Sequence, residues 1–330
     1  MEQNYYFIII GAILLEYGLS TLSSYLNMNS ISENIPNGFQ DYYDKEKYSQ
    51  SQQYLKDKTR LGLLSSTFSL GLTLIVIHLG IFGLLDEYVR INSTHPIIAG
   101  LMFFGILFIV NDILNMPFSL YSTFVIEEKY GFNKTTLKTF IADNIKGLII
   151  SSVIIIGLTS LAVFVIDFFS AGYWLWLWIG LSLFMLFLNM FYADLIVPIF
   201  NKLTPLEDGE LRKKIEAYSK KVGYSLKNIF VIDGSKRSSK ANAFFSGLGP
   251  KKTIALFDTL IEKHSEEELV AVLAHEVGHY KKKHILFSMI ITIIQLGVMC
   301  YLFEICMSFD LIANALGSSS MNFHIGIIDF

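Results

Sequence analysis

The chain has 330 residues, 52% hydrophobic and 17% charged, where ordinary globular chains carry roughly 25% charged residues. A soluble domain cannot hide that much apolar surface, so a cytosolic globular enzyme is excluded. Six Pro, two Cys and a net charge of -3 also exclude collagen, a disulfide scaffold and a nucleic-acid binder. The remaining class is a polytopic membrane protein.

The first apolar stretch, residues 5–22, carries one acid, Glu16, and has no Lys or Arg before it. It reads as a span, not a signal peptide. Uncharged runs that approach or exceed the roughly 18–25 residues of a bilayer crossing follow at 61–85, 97–110, 147–166, 173–193 and 285–303. The second continues through Asn111 and Asp112 to Met116. Residues 311–328 have the composition of the start of a seventh span. Of the 26 Lys and Arg, 25 fall on alternate loops, with Arg90 alone on the other side. That bias predicts an outside N-terminus and cytoplasmic first, third and fifth loops. Trp174, Trp176 and Trp178 beside Tyr173 read as an interfacial belt. Cys300 and Cys306, six apart on a helix, point away from each other, so no disulfide is expected.

The segment 201–284 is the one sizeable polar stretch. Leu211, Ile215, Tyr218 and Val222 have helical spacing and stop at Gly223, a C-terminal cap. Asn228–Ile232 and Thr253–Phe257 are rich in β-branched and aromatic residues and read as strands. Ala243–Ser246 and the turn Gly247-Leu-Gly-Pro250 complete a hairpin with the second of them. Ser265 stands three residues before Glu268, a capping box that starts a helix running to about Lys283. Arg237 and Lys240 read first as a solvated charged loop, with contact to a substrate's terminal carboxylate as the other reading.

That capped helix contains His275-Glu276-Val277-Gly278-His279. Histidines four apart share one helix face, so both imidazoles can reach a single Zn²⁺ ion. Glu276 is then placed to act as general base toward a metal-activated water. Gly278 costs about 1 kcal/mol relative to Ala in mid-helix, which suggests close packing there. His284 is nine positions beyond His275, about half a turn round a continuous helix, so it reads as a surface or interfacial histidine.

The chain resembles the zinc-dependent CAAX prenyl proteases, type I membrane-embedded zincin metallopeptidases. The resemblance is carried by Phe124-Val-Ile-Glu-Glu-Lys-Tyr-Gly-Phe-Asn133, by Pro198-Ile-Phe-Asn-Lys202 with Pro205-Leu206, and by Gly209-Glu-Leu-Arg212. It continues through Val231-Ile-Asp-Gly-Ser-Lys-Arg-Ser-Ser239, Ala241-Asn-Ala-Phe-Phe-Ser-Gly247, Phe257-Asp-Thr-Leu260 and the His275 helix as far as His284. The likeness implies an all-α polytopic membrane fold, six to seven transmembrane helices around a chamber, with a small α+β zincin-like cytoplasmic domain. On that division residues 1–200 hold spans one to five, 201–284 the catalytic domain, and 285–330 span six with the start of a seventh.

The resemblance also implies roles: Glu276 as base, His275 and His279 as zinc ligands, and Asn242, Ala243 and Phe244 as an edge strand that pairs with substrate backbone. Strand addition of this kind binds an extended peptide through main-chain bonds. Glu16, His78 and Asp112, ionisable groups at membrane depth, are expected to face the chamber or pair helices. The implied partners are a peptide or isoprenylated protein C-terminus and the bilayer. The family's third ligand, a Glu on a later helix, has no match after His284, so the chain looks truncated and is expected to hold zinc poorly and cleave little. The alternatives are a membrane quality-control zinc protease, whose group has fewer spans and lacks the segment 124–133, and a catalytically impaired scaffold.

Overall fold

The computed structural model describes residues 2–223, 228–246, 253–318 and 321–329. The chain begins with α1 (Glu2–Ser30), α2 (Lys45–His78), α3 (Ile81–Asn92) and α4 (Pro96–Tyr121), the last continuing through a π-helical turn at Ser122–Glu127. Next come α5 (Leu137–Phe169), α6 (Tyr173–Leu195), α7 (Val197–Phe200), β1 (Leu203–Pro205), α8 (Glu210–Lys221) and β2 (Asn228–Ile232). The remainder is β3 (Ala243–Ser246), β4 (Thr253–Phe257), α9 (Asp258–Lys263), α10 (Glu266–Lys281), α11 (His284–Cys306), α12 (Asp310–Ala315) and α13 (Phe323–Asp329).

Among the described residues, six segments are long and apolar enough to cross a membrane. They are Asn4–Ser30, Lys45–His78, Pro96–Glu127, Leu137–Phe169, Tyr173–Phe200 and His284–Cys306. The chain is a multi-pass integral membrane protein, mostly helical, with one small sheet.

Two compact units divide the chain: residues 1–131, 155–168 and 302–330, and residues 132–154 and 169–301. In the first unit, α2 is 34 residues long. At 1.5 Å per residue it reaches about 51 Å, against a hydrocarbon core of about 30 Å. Its charged first turns, Lys45 to Arg60, are therefore helix and not the loop that their composition suggests. At its other end the apolar run 61–85 does not form one span. It breaks after His78, where Gly80 adopts a left-handed φ of +62° that glycine alone tolerates without strain, and α3 starts afresh. His78 Nδ1 lies 3.4 Å from the Tyr6 hydroxyl, a link between α2 and α1.

The stretch 311–328 is likewise not a span but two short helices, α12 and α13, either side of Gly317 at φ +81°. Ala313, Leu316 and Ile325 pack with Val89 of α3 and Phe103 of α4 in one apolar core. The approach is close. A Cβ on Gly83 would stand 2.0 Å from the Gly317 carbonyl oxygen, and the Gly83 N–H donates to Leu316 O at 3.2 Å. Within this packing lies Asp86, wholly buried. Its carboxylate accepts from Ser318 Oγ at 2.7 Å, Asn322 Nδ2 at 3.0 Å and His324 Nε2 at 2.7 Å, and pairs with Arg90 at 2.7 Å. A buried charge demands that degree of pairing.

The second unit is built on a four-stranded sheet of order β1-β2-β4-β3. β1 pairs antiparallel with β2, β2 parallel with β4, and β3 antiparallel with β4. The turn expected at Gly247-Leu-Gly-Pro250 lies outside the described residues. The central strands are apolar on both faces, as strands covered on both sides must be. Ile229, Ile254 and Leu256 face Ile215 of α8 and Leu269, Leu273 and Val277 of α10. Ile232 and Ala255 face Val197 of α7. Two of the three tryptophans read as an interfacial belt pack on α11. Trp178 Nε1 donates to Ile293 O at 2.8 Å, and Trp174 meets Tyr301 edge-on at 5.4 Å. No disulfide joins Cys300 and Cys306, as their spacing on the helix predicts.

Candidate metal centre

The site is organised by α10. Its first turn carries the complete capping box: Ser265 Oγ accepts from the Glu268 N–H, and the Ser265 N–H donates to Glu268 Oε2 at 2.8 Å. This backbone bond, first among the causes, holds the Glu268 carboxyl below its ordinary range. Lys214 of α8 pairs with Glu266 at 2.7 Å and Glu267 at 2.5 Å, joining the two helices at their exposed edge. Leu269, Leu273 and Val277, at i, i+4 and i+8, are almost fully buried against the sheet and α8. That stripe settles the rotation of the helix. Positions 275 and 279, each two residues and so about 200° beyond a core residue, point the other way.

His275 and His279 accordingly stand exposed side by side, Nε2 to Nε2 3.1 Å, ring centroids 4.8 Å apart. Two nitrogens bound at 2.0–2.1 Å to one tetrahedral zinc ion lie about 3.3 Å apart. The pair therefore has the separation of two ligands to a common ion, and imidazole is a donor that such an ion accepts. Glu276, next in sequence and half-buried, flanks the pair. Among the described residues, no group of three His, Cys, Asp or Glu converges on one point. Gly278 is not closely packed: a Cβ there would meet nothing within 4 Å, because the residue shares the open side of the helix with His279.

The helix does not continue to Lys283. It closes at Lys281, Lys283 takes a left-handed φ of +55°, and α11 restarts at His284. The half-turn separation assumed for His284 on a continuous helix therefore does not hold. Its Nδ1 lies 2.9 Å from Nδ1 of His279, on the side of that ring away from His275. Sequence spacing gave no access to this contact. The one signal for it, three consecutive lysines at 281–283 before a histidine, is also what an ordinary helix end looks like.

Asn242, Ala243 and Phe244 lie at the sheet's edge, two of them in β3, the outermost strand. The Phe257 N–H donates to Asn242 O at 3.1 Å, and Asn242 Oδ1 accepts from the Ala243 N–H at 2.9 Å. Ala243 and Phe244 turn to opposite sides, one against the α8/α10 core and the other against Val197 and Ile232. Arg237 is not a solvated cation. It grips Asp143 with two bonds of 2.7 and 2.9 Å and donates to Phe200 O at 2.6 Å. Lys240 sits 4.7 Å above the Phe132 ring. Asp258 accepts from the Ser235 and Thr259 N–H groups, each at 2.8 Å, and Asp233 from the Lys202 N–H at 2.7 Å. The motif residues around 231–260 thus tie the sheet's loops together.

Comparison with known proteins agrees with this arrangement. A family model described as CAAX prenyl protease N-terminal, five membrane helices, matches residues 24–202, and one described as Peptidase family M48 matches residues 205–328. CAAX prenyl protease 1 of Saccharomyces cerevisiae is 36% identical over 290 residues, covering 84% of this chain and 64% of that protein. The CAAX prenyl protease 1 homolog of Dictyostelium discoideum is 35% identical over 330 residues, covering 95% and 76%. The crystal structure of S. mikatae Ste24p superposes with a TM-score of 0.90 at 32% identity, over 98% of this chain and 80% of that one. Against the two yeast proteins first matched, this chain spans 64% of their length.

Proposed function

The chain belongs to the M48 family of membrane metallopeptidases that includes the CAAX prenyl proteases, and from that membership we propose that it hydrolyses a peptide bond near the C-terminus of isoprenylated CAAX-type substrates. His275 and His279 would hold the metal, zinc, through their Nε2 atoms. When bound, zinc polarises a water molecule and the scissile carbonyl. Glu276 takes the proton from the attacking water on a side-chain oxygen and passes it to the departing amine nitrogen. Asn242, Ala243 and Phe244 hold the substrate in extended form through main-chain hydrogen bonds along the edge of β3. The alternation of Lys and Arg predicts an outside N-terminus and residues 201–284 on the cytoplasmic side.

The observation that carries this reading is the 3.1 Å approach of two imidazole nitrogens with a carboxylate one residue from the first. An assay of an isoprenylated CAAX peptide with wild type, Glu276→Gln and a chelator control tests it. Loss of a general base lowers turnover by roughly 10²–10⁴-fold, and the chelator abolishes what remains. Equal cleavage in all three sinks the mechanism.

A second reading, a chain that retains metal weakly, is favoured by the donor set: two imidazoles and, among the described residues, no third converging ligand, where catalytic zinc sites use three. Retention of one zinc through exhaustive dialysis overturns it.

A further inference from the structure

Both ring nitrogens of His279 are engaged, and the two contacts constrain each other. Nε2 faces His275 at 3.1 Å, and Nδ1 faces Nδ1 of His284 at 2.9 Å. The 2.9 Å contact between His279 and His284 is a hydrogen bond, so one of these two partners carries the proton and the other presents a lone pair. Only two assignments are open for neutral rings. If His284 donates, the proton of His279 is left on Nε2, and that nitrogen cannot bind a cation. If His279 donates, its Nε2 presents a lone pair on the side shared with His275. Metal binding is compatible with the second assignment alone.

The backbone shows how His284 reaches this position. On a continuous helix residue 284 would lie about 140° round from 279. Lys283, a non-glycine residue at φ +55°, instead ends one helix and starts the next, and its neighbours close the break. The Lys282 N–H donates to Gly278 O at 2.9 Å and the Lys283 N–H to Tyr280 O at 2.9 Å. Such a conformation is unfavourable for a residue with a Cβ and is kept where the surroundings hold it. Its effect here is to bring an imidazole onto the rear nitrogen of the ring that precedes it by five positions.

We propose that His284 is a positioning residue for the metal site, accepting a hydrogen bond from His279 Nδ1–H through its own Nδ1 and so holding His279 in the tautomer and orientation that present Nε2 to the ion. The role goes beyond the ligand set and rests on the reading of His275 and His279 as metal ligands. Histidine ligands generally donate their second nitrogen to such an outer partner, and loss of the partner weakens metal affinity about 10–100-fold.

Zinc titration of the detergent-solubilised, metal-stripped protein against a chromophoric chelator tests this without reference to catalysis. His284→Leu removes the acceptor at similar bulk and is expected to bind zinc about 10–100-fold more weakly than wild type. His284→Asn, whose amide oxygen stands near where Nδ1 was, is expected to recover affinity to within about threefold. Metal-free His284→Leu should unfold at the wild-type temperature, which separates the hydrogen bond from a general loss of structure. His279→Leu is the control on the premise. If it binds zinc as wild type does, the metal-ligand reading itself fails. If it loses zinc while His284→Leu stays within twofold of wild type, or if His284→Asn binds no better than His284→Leu, the positioning role is overturned and the ligand reading stands.

Discussion

Gly278 lies between His275 and His279 on α10, yet nothing in the structure requires a glycine there. Its backbone is helical, and the space beyond its missing Cβ is open to at least 4 Å. Glycine in a helix interior costs about 0.8–1.0 kcal/mol relative to alanine through lost chain entropy. Gly278→Ala is therefore expected to stabilise the protein by about 1 kcal/mol, read as a rise of a few degrees in the unfolding temperature in detergent. A fall would mean that the residue is closely packed after all. The contrast with Gly83 is instructive, since a Cβ there would stand 2.0 Å from a backbone oxygen. At the residue scale, a glycine's reason is read from what its Cβ would meet.

Among the elements, α3 and α13 depend on one buried polar cluster. His324 of α13 donates from Nε2 to Asp86 of α3 at 2.7 Å, and the same carboxylate already pairs with Arg90. Burial, first, and the positive charge of Arg90 depress the His324 pKa below its ordinary 6.5, against the opposing pull of Asp86. The sign follows from linkage. A base whose folded pKa lies below its unfolded value binds fewer protons in the folded state between those two values, so stability rises with pH across that window. The contribution of His324 is complete above about 6.5 and is lost as pH falls toward the lower folded value. Unfolding temperatures measured at pH 7.5 and 5.5 should therefore drop more for wild type than for His324→Gln, which keeps a donor but no titrating proton. Equal drops would show that His324 takes no part.

Over the whole molecule, the readable features were those set by local signals, and the hidden ones were set by distant partners. The capping box at Ser265, the strands β2 and β4 and the His275–His279 face each depend on residues within one or two turns, and the structure has them where the pattern puts them. The break at Gly80 was hidden because α3 is apolar for a different reason from the lipid-facing spans. Its Val89 is buried against Ala313, Leu316 and Ile325, and hydropathy cannot separate burial in protein from exposure to lipid. The parallel pairing of β2 with β4 and the approach of His284 to His279 likewise join positions with no shared local pattern. Charge asymmetry is a global signal, and its consequence remains open to measurement. With α3 and its flanking turns counted as one loop, residues 79–95 hold a single cation, Arg90, whereas 201–283 hold sixteen. The positive-inside bias then predicts Thr94 outside and Lys213 in the cytoplasm. In a background with Cys300 and Cys306 replaced by Ser, Thr94→Cys in sealed vesicles of known sidedness should react with an impermeant maleimide from the non-cytoplasmic face. Lys213→Cys should react there only after permeabilisation. The reverse pattern would place the His275–His279 pair on the opposite side of the membrane from the prenylated substrates proposed for it.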